Sequence, residues 1–285
     1  MRRQFISTLL ELFSEDEKLF LILGDIGVHG FRSLLSDYPE RALNLGILEQ
    51  CMIGVSAGIS SEGFIPVVHT IAPFMIERAY EQIKIDLAYQ KLGANLVSVG
   101  ASYDYAGLGC THHCPADVPL MYNIPGARII LPGSAREFDV AFRSFYKSGI
   151  NYFRISEEGH HFEIRELGFI SLRDTPSASV ATIFIGPTMR FFDGDSINSD
   201  QSIWYLNYID DAIDLTLPPN IKSCKVIQDF YSGPVEDLLK KYNPAVHVQT
   251  LCPERIFLDS YGTRSEAYER VGLSKSSVNC FIKNN

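Results

Sequence analysis

An acidic residue among small and apolar neighbours is the first candidate for chemistry in this sequence. Glu49 follows Gly46 and lies in the first turn of a predicted helix that contains Gly54, Ala57 and Gly58. Such small residues weaken a helix and are tolerated where another backbone must come close, so we expect tight packing here. A carboxyl group in a dry setting can share or transfer a proton, as general acid–base catalysis requires. The alternative is that Glu49 only complements the positive end of the helix.

Two histidines between two cysteines form a second candidate. Cys110, Thr111, His112, His113 and Cys114 follow one another directly. Thiolates and imidazoles are common zinc ligands, so a metal-binding α/β protein is one possible interpretation. However, five adjacent residues rarely supply four tetrahedral ligands, and no second ligand pair stands out elsewhere in the sequence. We therefore predict that the residues of this chain hold no metal.

Short apolar runs separated by helical patterns must position these residues. Residues 19–23, 65–68 and 96–99 predict buried strands of a parallel sheet, each followed by a turn or a helix. Open α/β sheets bind their ligands at the carboxyl ends of such strands. The Gly-rich turn after the first strand lacks the Gly-Lys-Ser/Thr ending of a phosphate loop.

The same alternation resumes after a polar stretch near residue 175. Residues 180–185, 225–230 and 246–249 predict strands, residues 235–242 predict a helix, and the polar residues 190–202 predict a loop. We therefore predict an α/β protein of two domains, each a mostly parallel sheet flanked by helices. The predicted boundaries are 1–167 for the first domain, 168–179 for a linker and 180–285 for the second domain.

Composition limits the classes of function. The chain has 285 residues, of which 46% are hydrophobic, enough for two domains with substantial cores. Its net charge of −9 argues against non-specific binding to nucleic acid or to an anionic membrane surface. No apolar run approaches the roughly 18 residues of a membrane-spanning helix. The six cysteines are scattered without a disulfide framework, so we expect a reducing cytoplasm.

Three motifs, in one order along the chain, resemble the pyrimidine-binding domain of transketolase-type thiamine diphosphate enzymes. The segment Gly46-Ile47-Leu48-Glu49-Gln50 is similar to the family's Gly-Ile-x-Glu-Gln. The run from Thr70 through Phe74 to Arg78 and Gln82 is similar to the segment that holds the aminopyrimidine ring. The segment Gly109-Cys110-Thr111-His112 matches the family's Gly-x-Thr-His.

The resemblance implies a role for each of these residues. Glu49 would bond to the ring nitrogen and activate the cofactor, Phe74 would pack against the ring, and His112 would act at the reacting centre. Thr70 and Ile71 would complete the cofactor site, whereas Arg78 and Gln82 are expected only to tie their helix to its neighbour. The implied substrate-binding residues are His29, Asp25, His69, His113 and Arg154. Whether His112 or His113 approaches the thiazolium carbon is left open by the motif, and so is a structural ion pair for Arg154.

Two departures from the family pattern carry further expectations. Leu108 stands where sugar-using relatives have an Asp that contacts a substrate hydroxyl, so we expect an unusual sugar or keto-acid substrate. The Gly-Asp-Gly motif that binds diphosphate and metal is missing, since Gly24-Asp25-Ile26 lacks the second Gly and Gly194-Asp195-Ser196 lies in a polar stretch. A partner subunit would therefore hold the diphosphate and Mg²⁺. The resemblance implies an α2β2 heterotetramer in which this chain is the smaller subunit of a split enzyme.

Two related interpretations compete with this one. Ile124-Pro125-Gly126 is similar to the beta subunit of 2-oxoacid dehydrogenases, although the other motifs favour transketolase. A catalytically silent scaffold subunit is the third possibility. The presence of Glu49 argues against a silent subunit, because a scaffold has no need of this acid.

Overall fold

The structure, a computed structural model, describes residues 1–192 and 200–284. The strands in these ranges are β1 (Leu19–Leu23), β2 (Ala42–Asn44), β3 (Ile65–Ile71), β4 (Ala94–Val99), β5 (Ala127–Ile130), β6 (Ile150–Arg154), β7 (Phe169–Arg173), β8 (Val180–Ile185), β9 (Ser202–Leu206), β10 (Tyr208–Ile209), β11 (Ser223–Ile227) and β12 (His247–Leu251). The α-helices are α1 (Arg2–Glu15), α2 (Arg32–Asp37), α3 (Glu49–Ser61), α4 (Tyr80–Gln82), α5 (Asp117–Tyr122), α6 (Ala135–Phe145), α7 (Pro234–Tyr242), α8 (Arg264–Arg270) and α9 (Lys275–Lys283). The predicted turn Gly194-Asp195-Ser196 lies outside the described residues.

The first sheet is parallel apart from one edge strand. Its strand order is β10-β5-β6-β4-β3-β1-β2, and only β10 runs antiparallel, to β5. The central strands β1, β3 and β4 are almost entirely buried, as the apolar runs in the sequence predicted.

Helices cover both faces of this sheet. On one face α1 packs against α6, where the Phe5 ring lies 5.7 Å from Phe138 and 6.2 Å from Phe142 between ring centroids. On the other face α3 buries Met52 and Ile53. The face covered by α3 is the one that concerns the site, because α3 begins at Glu49.

The second sheet has the order β12-β11-β8-β9-β7, and its edge strand β7 is antiparallel to β9. The two sheets flanked by helices confirm the predicted α/β architecture. The predicted linker at 168–179 contains β7, which the sequence did not reveal because its five residues are largely exposed. The domain boundaries at 167 and 180 therefore remain a proposal.

Two features join the sheets across this boundary. The strand β10 follows β9 of the second sheet directly but pairs with β5 of the first sheet. In addition, the buried Tyr205 of β9 donates from its hydroxyl to Glu137 Oε2 of α6 at 2.6 Å. The two halves of the chain are thus connected by main-chain and side-chain bonds.

The helical segment after β3 is not a regular α-helix. In this segment, π-helical turns over Pro73–Glu77 and Ile83–Tyr89 flank the single α-helical turn of α4. π-helical turns are rare and often occur at functional sites. Phe74 lies in the first π-helical turn, and Arg78 follows that turn directly.

Candidate active site

Four neighbouring strands of the first sheet end at the same edge. The strands β4, β3, β1 and β2 are adjacent and parallel, so the segments that follow them lie side by side. These segments carry His112 after β4, Phe74 after β3, Asp25 and His29 after β1, and Glu49 after β2. The fold therefore brings residues from four separate parts of the sequence to one edge.

Glu49 is buried at the start of α3, with an exposed fraction of 2%. Gly46 makes the turn before it with a φ of 74°, a left-handed conformation that favours glycine. Thr70 donates from Oγ1 to Glu49 Oε1 at 3.2 Å, and Arg78 donates from Nη1 to Glu49 Oε2 at 2.7 Å. Both carboxylate oxygens therefore have a donor from the protein.

Phe74 is half-buried and contacts two groups of the candidate site. The central carbon of the Arg78 guanidinium lies 4.2 Å from the centre of the Phe74 ring. The His112 ring meets Phe74 at a centroid distance of 5.1 Å and an angle of 72°. Arg78 thus contacts both the acid and the aromatic ring, a role that the sequence analysis missed. The spacing of Phe74 and Arg78, four residues apart on a helical segment, was the available signal.

His112 and His113 lie in different environments. His112 is partly exposed, its Nδ1 lies 3.0 Å from Thr111 Oγ1, and burial lowers its pKa, which favours the neutral imidazole near pH 7. His113 is 8% exposed and packs on Tyr103 at a centroid distance of 5.1 Å. The structure therefore brings His112 into contact with Phe74, whereas His113 is largely buried and lines a cavity of about 410 Å³ together with Glu77 and Tyr103. The substrate contact of His113 stays a prediction.

His69 lies inside the fold, next to Gly27 in the turn after β1. It is completely buried under α1, where its ring lies 4.9 Å from that of Phe5 and its Nδ1 lies 2.7 Å from the Val97 carbonyl oxygen. Burial lowers the pKa of His69 to about 4, so it is neutral at pH 7. The buried position gives no support to the substrate contact of His69, which stays a prediction. Ile71, at the end of the same strand, is half-buried and packs with the same hydrophobic cluster.

Arg154 is also withdrawn from solvent. Its side chain has no exposed surface, and all three of its nitrogens are bonded: Nε to Asp117 at 2.7 Å, Nη1 to Asp229 at 2.9 Å and Nη2 to Ser102 at 2.5 Å. The guanidinium is thus held inside the fold by two carboxylates and a hydroxyl group. This arrangement supports the alternative of a structural ion pair, and the substrate contact of Arg154 stays a prediction.

Asp25 and His29 remain accessible on the turn after β1. Both residues are exposed. Asp25 has a φ of 58° and is held by Asn44, which donates from Nδ2 to Asp25 Oδ1 at 3.1 Å and accepts from the Asp25 amide at 3.0 Å. The position of this turn beside β3 is compatible with the substrate contacts expected of Asp25 and His29, which stay predictions.

A cavity of about 280 Å³ opens at the carboxyl ends of β4 and β6. Arg2, Arg3, Tyr105 and Glu157 line it, together with Ser156, whose Oγ has no hydrogen-bond partner in the described part of the chain. The Tyr105 ring lies 6.4 Å from that of His112, so the cavity adjoins the candidate site. Sequence reasoning missed these arginines, because it treated the first residues only as the start of a helix.

The described residues contain no group of three or more His, Cys, Asp or Glu side chains arranged to hold a metal ion. In the Cys110–Cys114 run, Cys110 is exposed, whereas Cys114 is buried with its Sγ 3.7 Å from Glu77 Oε1. None of the described helices has both the length and the apolar character needed to cross a membrane.

Comparison with known proteins places this geometry in a family. The family model "Transketolase, pyrimidine binding domain" matches residues 1–159. The chain is 37% identical over 159 residues to the "Uncharacterized 33.6 kDa protein in fasciation locus" of Rhodococcoides fascians, covering 55% of this chain and 51% of that protein. It is 34% identical over 137 residues to an apulose-4-phosphate transketolase subunit of Phocaeicola vulgatus, covering 48% of this chain and 44% of that protein. The chain thus spans about half the length of these curated relatives.

A solved structure extends the similarity of fold over almost the whole chain. The structure titled "Split gene transketolase, inactive beta4 tetramer" superimposes with a TM-score of 0.83 and 21% sequence identity, covering 99% of this chain and 96% of that one. At this identity the likeness concerns the fold alone. The family model, however, matches more than half of the 285 residues and includes Glu49, Phe74 and His112. The chain therefore belongs to the transketolase family, with its pyrimidine-binding domain at residues 1–159.

Proposed function

We propose that this chain is the smaller subunit of a split transketolase-type enzyme that transfers a two-carbon ketol or acyl unit with thiamine diphosphate. The observation that carries the proposal is the buried carboxyl group of Glu49 at the same sheet edge as the half-buried ring of Phe74 and the imidazole of His112. The names of the curated relatives, one of them a transketolase subunit, agree with this assignment.

The carboxylate of Glu49 and the ring of Phe74 suit the pyrimidine end of thiamine diphosphate. The Arg78 guanidinium already lies over Phe74 and bonds to Glu49, so these two residues together accommodate a flat group that carries N–H donors. An aminopyrimidine ring is also flat and nitrogen-rich. Glu49 and Phe74 would hold this ring, and Thr70 and Ile71 would support them from β3.

Each side chain would have a distinct task in the reaction. When bound, thiamine diphosphate supplies the nucleophilic carbon and the electron sink for cleaving a bond beside a carbonyl group. Glu49 shares a proton at the ring nitrogen, and its burial keeps that proton from exchanging freely with water. Thr70 fixes one oxygen of the carboxylate, and Phe74 sets the plane of the ring by stacking. His112 accepts or donates a proton at the oxygen of the substrate.

The substrate would lie between the turn after β1 and the cavity beside Tyr105. Asp25 and His29 can bond to hydroxyl groups from the turn. Arg2 and Arg3 favour an anionic end of the substrate, such as a phosphate or carboxylate, because guanidinium groups bind both with paired hydrogen bonds. The exposed Leu108 offers no hydrogen bond to a hydroxyl, which supports a donor other than the usual sugar phosphate.

A partner subunit would bind the diphosphate and Mg²⁺, with two copies of each subunit in the assembly. Carboxylate oxygens are among the ligands that Mg²⁺ prefers, and the described residues of this chain present no group of three or more His, Cys, Asp or Glu side chains that could hold a metal. The related split-gene structure is titled an inactive beta4 tetramer, which agrees with a beta subunit that needs its partner.

Calorimetry tests the division of the site. Thiamine diphosphate and Mg²⁺ should give no appreciable binding heat with the isolated chain. Addition of a partner subunit that carries the diphosphate motif should restore binding and ketol transfer together. Micromolar binding of the cofactor by the isolated chain would contradict the split site.

A further inference from the structure

The carboxylate of Glu49 is closed to any ligand in the chain as it stands. Its exposed fraction is 2%, and its two oxygens accept from Thr70 and Arg78. Thr70 lies in the sheet and is itself buried. Arg78 has a side chain that is 39% exposed, so it forms the cover on the solvent side. A ligand that approaches Glu49 from solvent must therefore displace Arg78.

We propose that Arg78 is a placeholder for the aminopyrimidine ring, which leaves when the cofactor binds. The guanidinium makes the same two kinds of contact that the ring would make, a bond of 2.7 Å to Glu49 and a flat contact of 4.2 Å with Phe74. The two groups then compete for one acid and one aromatic face. This inference rests on the proposed function, since it takes thiamine diphosphate as the cofactor.

The pairing also explains how the acid is tolerated before the cofactor arrives. A buried carboxylate without a partner is strongly destabilising, and Arg78 supplies a counter-charge and a hydrogen bond. The contacts of Arg78 with Glu49 and Phe74 are made by the guanidinium at the end of its side chain. The side chain can therefore turn away once these contacts are broken. Arg78 also follows a π-helical turn, where the backbone is less regular. The Arg78–Glu49 pair stabilises the empty subunit, and it weakens binding of the cofactor because binding must break the pair.

The decisive variant is Arg78→Met, which keeps a long side chain but removes the charge and the donors. In the assembled enzyme with its partner and Mg²⁺, the dissociation constant of thiamine diphosphate should fall about threefold to fivefold, the change expected from losing one partly exposed competing ion pair. Calorimetry measures this constant independently of activity. Arg165→Met is the control, because Arg165 is an exposed arginine paired with the exposed Glu163. Unchanged or weaker binding by Arg78→Met would overturn the proposal.

A second measurement, thermal unfolding, shows whether the variants fold. The isolated Arg78→Met chain should unfold at a lower temperature than the wild type, and Glu49→Gln should remove most of that difference by neutralising the acid. If Arg78→Met does not fold, Arg78→Gln in the wild-type background serves instead, because its amide can still donate to Glu49 without a positive charge. Cofactor affinity that is equal to or weaker than that of the wild type then contradicts competition for the ring site. If the wild-type assembly binds no thiamine diphosphate, the proposed function is wrong, and this inference, which depends on it, is wrong as well. If the wild type binds normally and the variants gain nothing, only this inference fails.

Discussion

Arg154 and Asp229 form a buried ion pair between the two sheets, with 2.9 Å from Nη1 to Oδ1. Arg154 is the last residue of β6 in the first sheet, and Asp229 follows β11 in the second. Asp117 binds the same guanidinium at 2.7 Å, so one cation lies between two carboxylates. Burial raises the pKa of Asp117, and the adjacent guanidinium of Arg154 counteracts that rise. The cluster links the halves of the chain and holds Arg154 inside the fold.

We predict that Arg154→Met lowers the free energy of unfolding by about 3–5 kcal/mol, because it leaves two carboxylates buried without their counter-ion. Denaturant unfolding monitored by circular dichroism measures the loss. Arg165→Met should change stability by less than about 0.5 kcal/mol, since its ion pair is exposed. If Arg154→Met instead leaves stability intact and raises the KM of an anionic substrate, Arg154 binds substrate after all.

For Glu49→Gln we expect a loss of turnover by at least about a hundredfold, because general acid–base groups contribute on this scale. The amide keeps the shape of the side chain and one acceptor for Thr70, so folding should be nearly intact. The measurement is kcat in the enzyme reconstituted with its partner, beside a circular dichroism spectrum. Glu62→Gln, an exposed substitution just after the same helix, is the matched control. Near-normal turnover would remove Glu49 from the mechanism.

The substrate prediction concerns Leu108, whose side chain is 54% exposed in the turn before His112. A leucine cannot bond to a donor hydroxyl, so xylulose 5-phosphate should not give the highest kcat/KM in a panel of ketose phosphates and 2-oxo acids. Leu108→Asp should raise kcat/KM for xylulose 5-phosphate relative to the native donor. Highest activity with xylulose 5-phosphate in the wild type is the result that would exclude an unusual donor.

The pH dependence of stability should report on Asp104. This residue is buried, and burial raises its pKa from 3.8 to about 7, against the opposing effects of the Glu157 amide and Arg264. Because the folded state holds the proton more tightly than the unfolded state, Asp104 contributes most stability below about pH 4. That contribution is lost as the pH rises to about 7, and it amounts to at most on the order of 4 kcal/mol.

Asp104→Asn isolates this effect, because an amide does not titrate. The free energy of unfolding of the wild type, minus that of the variant, should fall between pH 4 and pH 7 and stay constant above. His69 has a pKa of about 4 and so titrates in part of the same range. It contributes equally to the stability of both proteins, and its contribution cancels in the difference. A difference that stays flat from pH 4 to pH 8 would show that Asp104 is ionised throughout.

Short motifs allowed Glu49, Phe74 and His112 to be selected from sequence, because their spacing along the chain does not depend on distant contacts. The long apolar runs allowed β1, β3 and β4 to be predicted for the same reason. The end of β3 was predicted less well, because the strand continues to Ile71, three residues beyond the predicted end, and so includes His69. Neighbouring residues of a strand face opposite sides of the sheet, so His69 and Thr70 point in opposite directions.

Contacts made by the folded chain were harder to predict. The ion pair left open for Arg154 could not be given a partner, because Asp229 lies 75 residues further along the chain. The contacts of Arg78 with Glu49 and Phe74 had only one signal in the sequence, the four-residue spacing from Phe74, and the π-helical turn before Arg78 was not predicted.

The pairing of β10 with β5 limits how this protein can be divided or recombined. A fragment that ends at residue 167 would expose the backbone of β5, where Ile129 and Ile130 now pair with Ile209 and Tyr208. An uncovered strand edge of this kind is a template for aggregation. A chimera that exchanges the C-terminal half with a relative must therefore provide a donor strand matched to β5. Tyr208 and Ile209, which belong to the second half of the chain, must therefore stay matched to the edge of the first sheet.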